Sequence, residues 1–201
     1  MTLPPLHRSA SLYLSWIGGL CGTVVFLLGN VFPYPLPFAT PAAFFISLVE
    51  VEIFFVLLVW PLFVPALRKE GVRGLALLAT VAVLVAFALP LLLIGANVSS
   101  VDAGELIRSQ SLVVGLAALG AGIASRFRPA MPWYLLSVFL LSTLPPLSHF
   151  LEHEMQAKAP LATAYLSPFW GAAAGGAAAW GQSVVAGLAG LILLVRKEPA
   201  A

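Results

Sequence analysis

Apolar runs of about twenty residues, each long enough to cross the ~30 Å hydrocarbon core of a bilayer as a helix, recur about six times in this 201-residue chain. In lipid such a run must satisfy its own backbone, so it is helical. The predicted fold is therefore all-α: a polytopic membrane protein with a six-helix transmembrane bundle. Residues 1–201 form a single transmembrane domain with spans at about 10–32, 42–67, 74–96, 109–125, 131–150 and 176–195. Charged residues make up only 9% of the chain, against ~25% in soluble domains, and the mean hydropathy is +1.02. What remains outside the spans is too short for a soluble catalytic, nucleotide-binding or nucleic-acid-binding domain. A lone cysteine, Cys21, excludes internal disulfides and a dithiol relay. The first run follows Arg8 as a secretory signal would, but it is too long and lacks a small-x-small cleavage site. It is read as an uncleaved span.

Topology follows from where the cations fall. Arg8, Arg68, Lys69, Arg73, Arg126, Arg128, Arg196 and Lys197 lie at alternate span ends, which places them on one side, while Arg108 and Lys158 lie on the other with Asp102, Glu105, Glu152 and Glu154. The positive-inside rule makes that basic side cytoplasmic. Both termini are then expected in the cytoplasm of a cell carrying the chain in its inner membrane, with the long connection at 151–175 facing outward.

Three constellations stand out as candidate sites. Glu50 and Glu52 interrupt the second span. An intramembrane carboxyl costs at least ~2.5–3.5 kcal/mol and persists when paired, protonated or facing a cavity. Two residues apart is about 200° on a helix, so the two cannot share a face. They are read as pathway or gate residues, with an interhelix hydrogen bond or burial against a partner subunit as the alternative. His149, Glu152 and His153 form an H-x-x-E-H run, the inverted zinc-protease motif, with a polar helix end as its alternative. Zinc needs a further ligand, and His7 and Glu198 fall on the opposite side, so no metal and no cofactor is assigned. Two histidines of one helix also make a poor haem site. The third constellation is the charged connection Arg68, Lys69, Glu70, Gly71, Val72, Arg73 and Gly74, with a simple positive-inside anchor as its alternative. Small-xxx-small pairs at Ala118 and Gly122, Gly171 and Gly175, and Ser183 and Gly187 predict close helix contacts, within the chain or between subunits.

The stretch Phe63, Val64, Pro65, Ala66 and Leu67 leading into Arg68–Gly74, followed by Leu75, Ala76, Leu77 and Leu78, resembles the connection after the second span in ATP-binding-cassette exporter permeases of the second type. The family's longer coupling helix is shortened here. The short basic connection around Arg126 and Arg128 is similar to the family's loop after span four. Tyr165, Leu166, Ser167, Pro168, Phe169 and Trp170 are similar to the Leu-Ser-Pro-aromatic stretch before its last span, and Leu191 to Lys197 is similar to its tail. The resemblance implies a permease subunit with a candidate re-entrant outer segment at 151–175. It also implies a second permease subunit, identical or sister, and a cytoplasmic ATPase that docks on Arg68, Lys69, Glu70, Gly71 and Arg73. Tyr165, Pro168, Phe169 and Trp170 would form the outer gate. No G-x-x-x-x-G-K-[ST] run is present, so nucleotide hydrolysis would belong to the partner and this chain would not be an enzyme. Lipid bilayer is the other expected partner, and no nucleic acid is. A non-catalytic membrane scaffold subunit and an intramembrane metalloenzyme are the competing readings.

Overall fold

A computed structural model describes residues 6–31, 41–127, 131–153, 167–169, 172 and 176–195. All regular structure among them is helical. The helices are α1 (Leu6–Val31), α2 (Pro41–Phe54), α3 (Trp60–Lys69), α4 (Leu75–Val98), α5 (Ala103–Arg126), α6 (Met131–His153) and α7 (Gly176–Val195), with a π-helical turn at Phe55–Val59 joining α2 to α3. Among the described residues, four helical stretches are long and apolar enough to cross a membrane: Ala10–Leu27, Ala43–Lys69, Leu75–Val98 and Ala103–Arg126. Shorter apolar stretches are Met131–Thr143 and Trp180–Val195.

The burial pattern is that of a lipid-solvated bundle. In α4, Leu77, Val81, Leu84, Ala88 and Leu92 form one buried stripe, yet the opposite face is just as apolar, with Val83, Phe87, Leu93 and Ile94 exposed. A water-facing helix would carry polar residues there. α5 is the centre: it packs along α7 and also meets α2, the π turn, α3 and α4.

Proline explains the π turn. Pro61 has no N–H to donate to the carbonyl four residues back, that of Leu57. The ladder widens locally, and Trp60 N–H bonds the Phe55 carbonyl. The freed Leu57 carbonyl accepts the Tyr134 hydroxyl of α6 at 3.0 Å. Tryptophans make further cross-links of the same kind: Trp60 Nε1 donates to Ala117 O at 3.1 Å, and Trp16 Nε1 to Leu84 O at 2.8 Å.

α5 begins six residues before the apolar run that marked its span in the sequence. Asp102 supplies the reason: its side chain accepts from Glu105 N–H at 2.9 Å, a helix N-cap with a glutamate in the first turn. Residues 103–108, between the spans expected at about 74–96 and 109–125, are thus the first turns of a helix. α4 ends at Val98, and Ser99 Oγ accepts from Phe45 N–H at 3.0 Å, tying the end of α4 to the start of α2.

Candidate functional site

Two regions of the bundle concentrate polar chemistry. The interior one centres on Glu52, which is fully buried. Gln110 of α5 donates to Glu52 Oε2 at 2.6 Å. Glu52 Oε1 and Gln110 Oε1 have no hydrogen-bond partner. Glu50 is half-buried, so the two glutamates do point to different surroundings, as their spacing requires. Gln110 also lines a groove of about 470 Å3 with Ser111, Gly115 and Ser183, so Glu52 is one hydrogen bond away from the groove lining.

The second region is one end of the bundle. Arg68 Nη1 donates to Ser125 O at the end of α5, and Arg126 Nε donates to Leu193 O at the end of α7. Each guanidinium meets carbonyls that a helix end leaves without intrahelical donors, at the negative pole of the helix. Glu70 N–H closes α3 on Ala66 O and Leu67 O at 3.3 and 3.0 Å. Gly71 (φ +92°) and Gly74 (φ +53°) take the left-handed backbone that turns the chain into α4. A Cβ at Gly74 would stand in ordinary contact with Leu194 O, 3.7 Å away. Lys69, Gly71 and Arg73 are exposed. The segment 68–74 is thus anchored to α5 and lies against α7, with two cations pointing away.

The opposite end carries a latch that the sequence reading did not anticipate. Arg108 is buried, pairs with Glu105 Oε2 at 2.5 Å and donates to Ala172 O at 3.3 Å. Ser167 is also buried, and its carbonyl accepts from Gln182 Nε2 at 3.2 Å.

Of the other expected site residues, Pro168 is buried and Phe169 half-buried, both helical. Tyr165 and Trp170 lie outside the described residues. His149, Glu152 and His153 occupy the last two turns of α6, and their side chains lie outside the described set. Among the described residues no group of three His, Cys, Asp or Glu side chains could hold a metal. The helices that carry two of the expected small-residue pairs, α5 and α7, pack closely inside the chain: a Cβ on Gly115 would come within 2.7 Å of Ser183 O, one on Gly122 within 2.7 Å of Leu193 Cβ, and one on Gly190 within 2.4 Å of the Ala118 carbonyl carbon. Gly171 and Gly175 lie outside the described residues.

Gln110 is the side chain of this region hardest to see in the sequence. It falls one residue past Arg108 and Ser109, at what hydropathy marks as the edge of a span. A polar amide about two turns inside a capped helix start is the available signal.

No protein-family model matches the chain, and neither a curated protein nor a solved structure matches it.

Proposed function

We propose that this chain is the membrane-spanning permease half of an ATP-binding-cassette exporter of the second type. It would pair with a second permease subunit and with a separate cytoplasmic ATPase. In this reading the chain crosses the inner membrane six times with both termini inside, and residues 151–175 form a re-entrant outer segment. The observation that carries the reading is the segment 68–74: Lys69 and Arg73 are exposed for a partner, while Arg68 is bonded to the end of α5 and Gly74 abuts the end of α7. A push on this segment would reach α3, α4, α5 and α7 together. Nucleotide-driven closure of the ATPase would then favour one of two arrangements of the bundle, and substrate the other. Gln110, in the groove lining, and Glu52, bonded to it, would line or gate the route. Purification from the native membrane tests this. An ATPase co-purifying with wild type and lost in the Lys69→Glu, Arg73→Glu double variant supports it, and retention of all function without any ATPase overturns it.

A second reading draws on the Glu52–Gln110 bond. An acid satisfied by an interhelix amide and a close-packed glycine seam suit a rigid scaffold subunit equally well. Substrate-dependent ATPase stimulation by the chain separates the two, since a scaffold produces none.

A further inference from the structure

Glu52 stands about 14 Å along the helix from the Ala43 end of the span Ala43–Lys69. Its neighbours in the chain Leu48, Val49, Ile53 and Val56 are buried with it. The head groups of Glu52 and Gln110 are both planar and two-pronged. One prong of each is joined, Gln110 Nε2 donating to Glu52 Oε2 at 2.6 Å. The other prongs, Glu52 Oε1 and Gln110 Oε1, are both acceptors, both buried and both without a donor. The two head groups lack the same thing, a hydrogen.

An ionised carboxylate in such a place is costly unless an opposite charge or several donors face it. The elements packed on α2 are α1, α4, α5 and the π turn. α4 and the π turn carry no ionisable residue. In α5, Glu105 and Arg108 pair with each other, Arg108 also bonds Ala172 O, and Arg126 at the far end bonds Leu193 O. α1 carries His7 and Arg8 in its first turn, Tyr13 edge-on to Phe87 of α4, and the exposed Cys21. On α2 itself Glu50 is a second acid, half-buried. Among the described residues Glu52 accepts from Gln110 alone.

Three kinds of cation could answer the charge. A hard metal ion takes about six oxygens, whereas two lack partners here, and no group of three His, Cys, Asp or Glu side chains among the described residues could hold one. An organic ammonium needs room beside the carboxylate, which is fully buried and meets the groove of about 470 Å3 through its bond to Gln110. A proton needs no room. On Glu52 Oε1 it makes that oxygen a donor, and Gln110 Oε1 is the acceptor that lacks one. The pair then closes as a doubly bonded acid–amide ring, and one hydrogen satisfies both oxygens.

We infer that Glu52 and Gln110 form a binding site for one exchangeable proton, carried on Glu52 Oε1 and shared with Gln110 Oε1. Release breaks the Oε1–H bond and passes the proton to water in the groove lined by Gln110, Ser111 and Ser183. The carboxylate left behind keeps only the bond from Gln110 Nε2. For water to meet the acid, Gln110 must turn into the groove it lines, so release and loosening of the α2–α5 contact go together. The inference needs no ATPase and stands or falls separately from the exporter reading.

Infrared difference spectra of the full chain in detergent at neutral pH read the proton directly. A protonated carboxyl gives a carbonyl stretch above the amide bands, and a carboxylate does not. The band is expected in wild type, absent from Glu52→Gln, retained in Glu50→Gln and moved in Gln110→Leu, which removes the donor to its carbonyl. Unfolding in mixed micelles across pH gives a second readout. The unfolded carboxyl ionises at about pH 4.3, where the folded one still holds its proton. The folded state then binds more protons, and stability falls as pH rises. The wild-type unfolding constant should climb by up to about tenfold per pH unit until folded Glu52 ionises, and stay level beyond. Glu52→Gln should lose that slope and still fold, because its amide closes the same two-bonded pair. A carboxylate at neutral pH, or equal slopes in wild type and Glu52→Gln, overturns the inference. Stabilisation of wild type by added sodium or calcium at fixed pH, without any by acid, overturns it too, in favour of a metal cation.

Discussion

Gln110 reaches across from α5 to donate to Glu52 of α2 at 2.6 Å, inside the bundle, and the remaining oxygens of both side chains have no donor. One bond therefore joins these two side chains across the bundle. Removing Gln110 would strand a fully buried acid. Gln110→Ala is expected to lower stability by about 1–3 kcal/mol, the cost of an unsatisfied buried group. Glu52→Gln keeps a partner for the amide and should cost less than Glu52→Ala. The double change Glu52→Leu, Gln110→Leu should cost less than the two single changes added together. Thermal unfolding in detergent, arranged as a double-mutant cycle, measures all of these.

The α5–α7 seam gives a contrast within one helix. Gly190→Ala places a methyl within 2.4 Å of the Ala118 backbone, while Gly181→Ala meets nothing within 4 Å. The first should destabilise by about 1–3 kcal/mol through overpacking. The second should be neutral or stabilising, by up to about 1 kcal/mol, from helix propensity. Equal effects in a thermal melt would mean that α5 and α7 do not touch along this line.

Arg68 and Arg73 stand five residues apart in the same connection but do different work. Arg68→Ala removes the donor to Ser125 O and should cost about 1 kcal/mol of stability. Arg73, exposed, should leave the melting temperature unchanged when replaced by Ala. Under the exporter reading it should still weaken ATPase recovery in a pull-down.

Tyr134→Phe deletes the hydroxyl that bonds the carbonyl freed by Pro61 and should cost about 0.5–1.5 kcal/mol. If Pro61 is what frees that carbonyl, Pro61→Ala lets the ladder close and makes Tyr134→Phe nearly silent. The melting temperatures of the four chains decide this.

The apolar runs announced the helices because a bilayer imposes length and composition on anything that crosses it. The seam was legible at Ala118, Gly122, Ser183 and Gly187 because close approach demands small residues wherever it occurs. The start of α5 was not legible to hydropathy, which counts Glu105 and Arg108 as loop. The capping signal was nevertheless present in Asp102 with Glu105 three positions on. The Glu52–Gln110 pair needs the rotation of α5 about its own axis and its neighbour on that side, neither of which a linear pattern encodes.

The widened turn at Phe55–Val59 adds, in effect, one residue to an otherwise regular spiral. Rewinding this turn as ordinary α-helix with every residue kept would swing everything downstream by about 100°. Trp60 would lose sight of Ala117, and Arg68 would swing away from the mouth of α5. That one surplus position sets the rotational phase between the half of this continuous span that holds the acid and the half that ends in the cations.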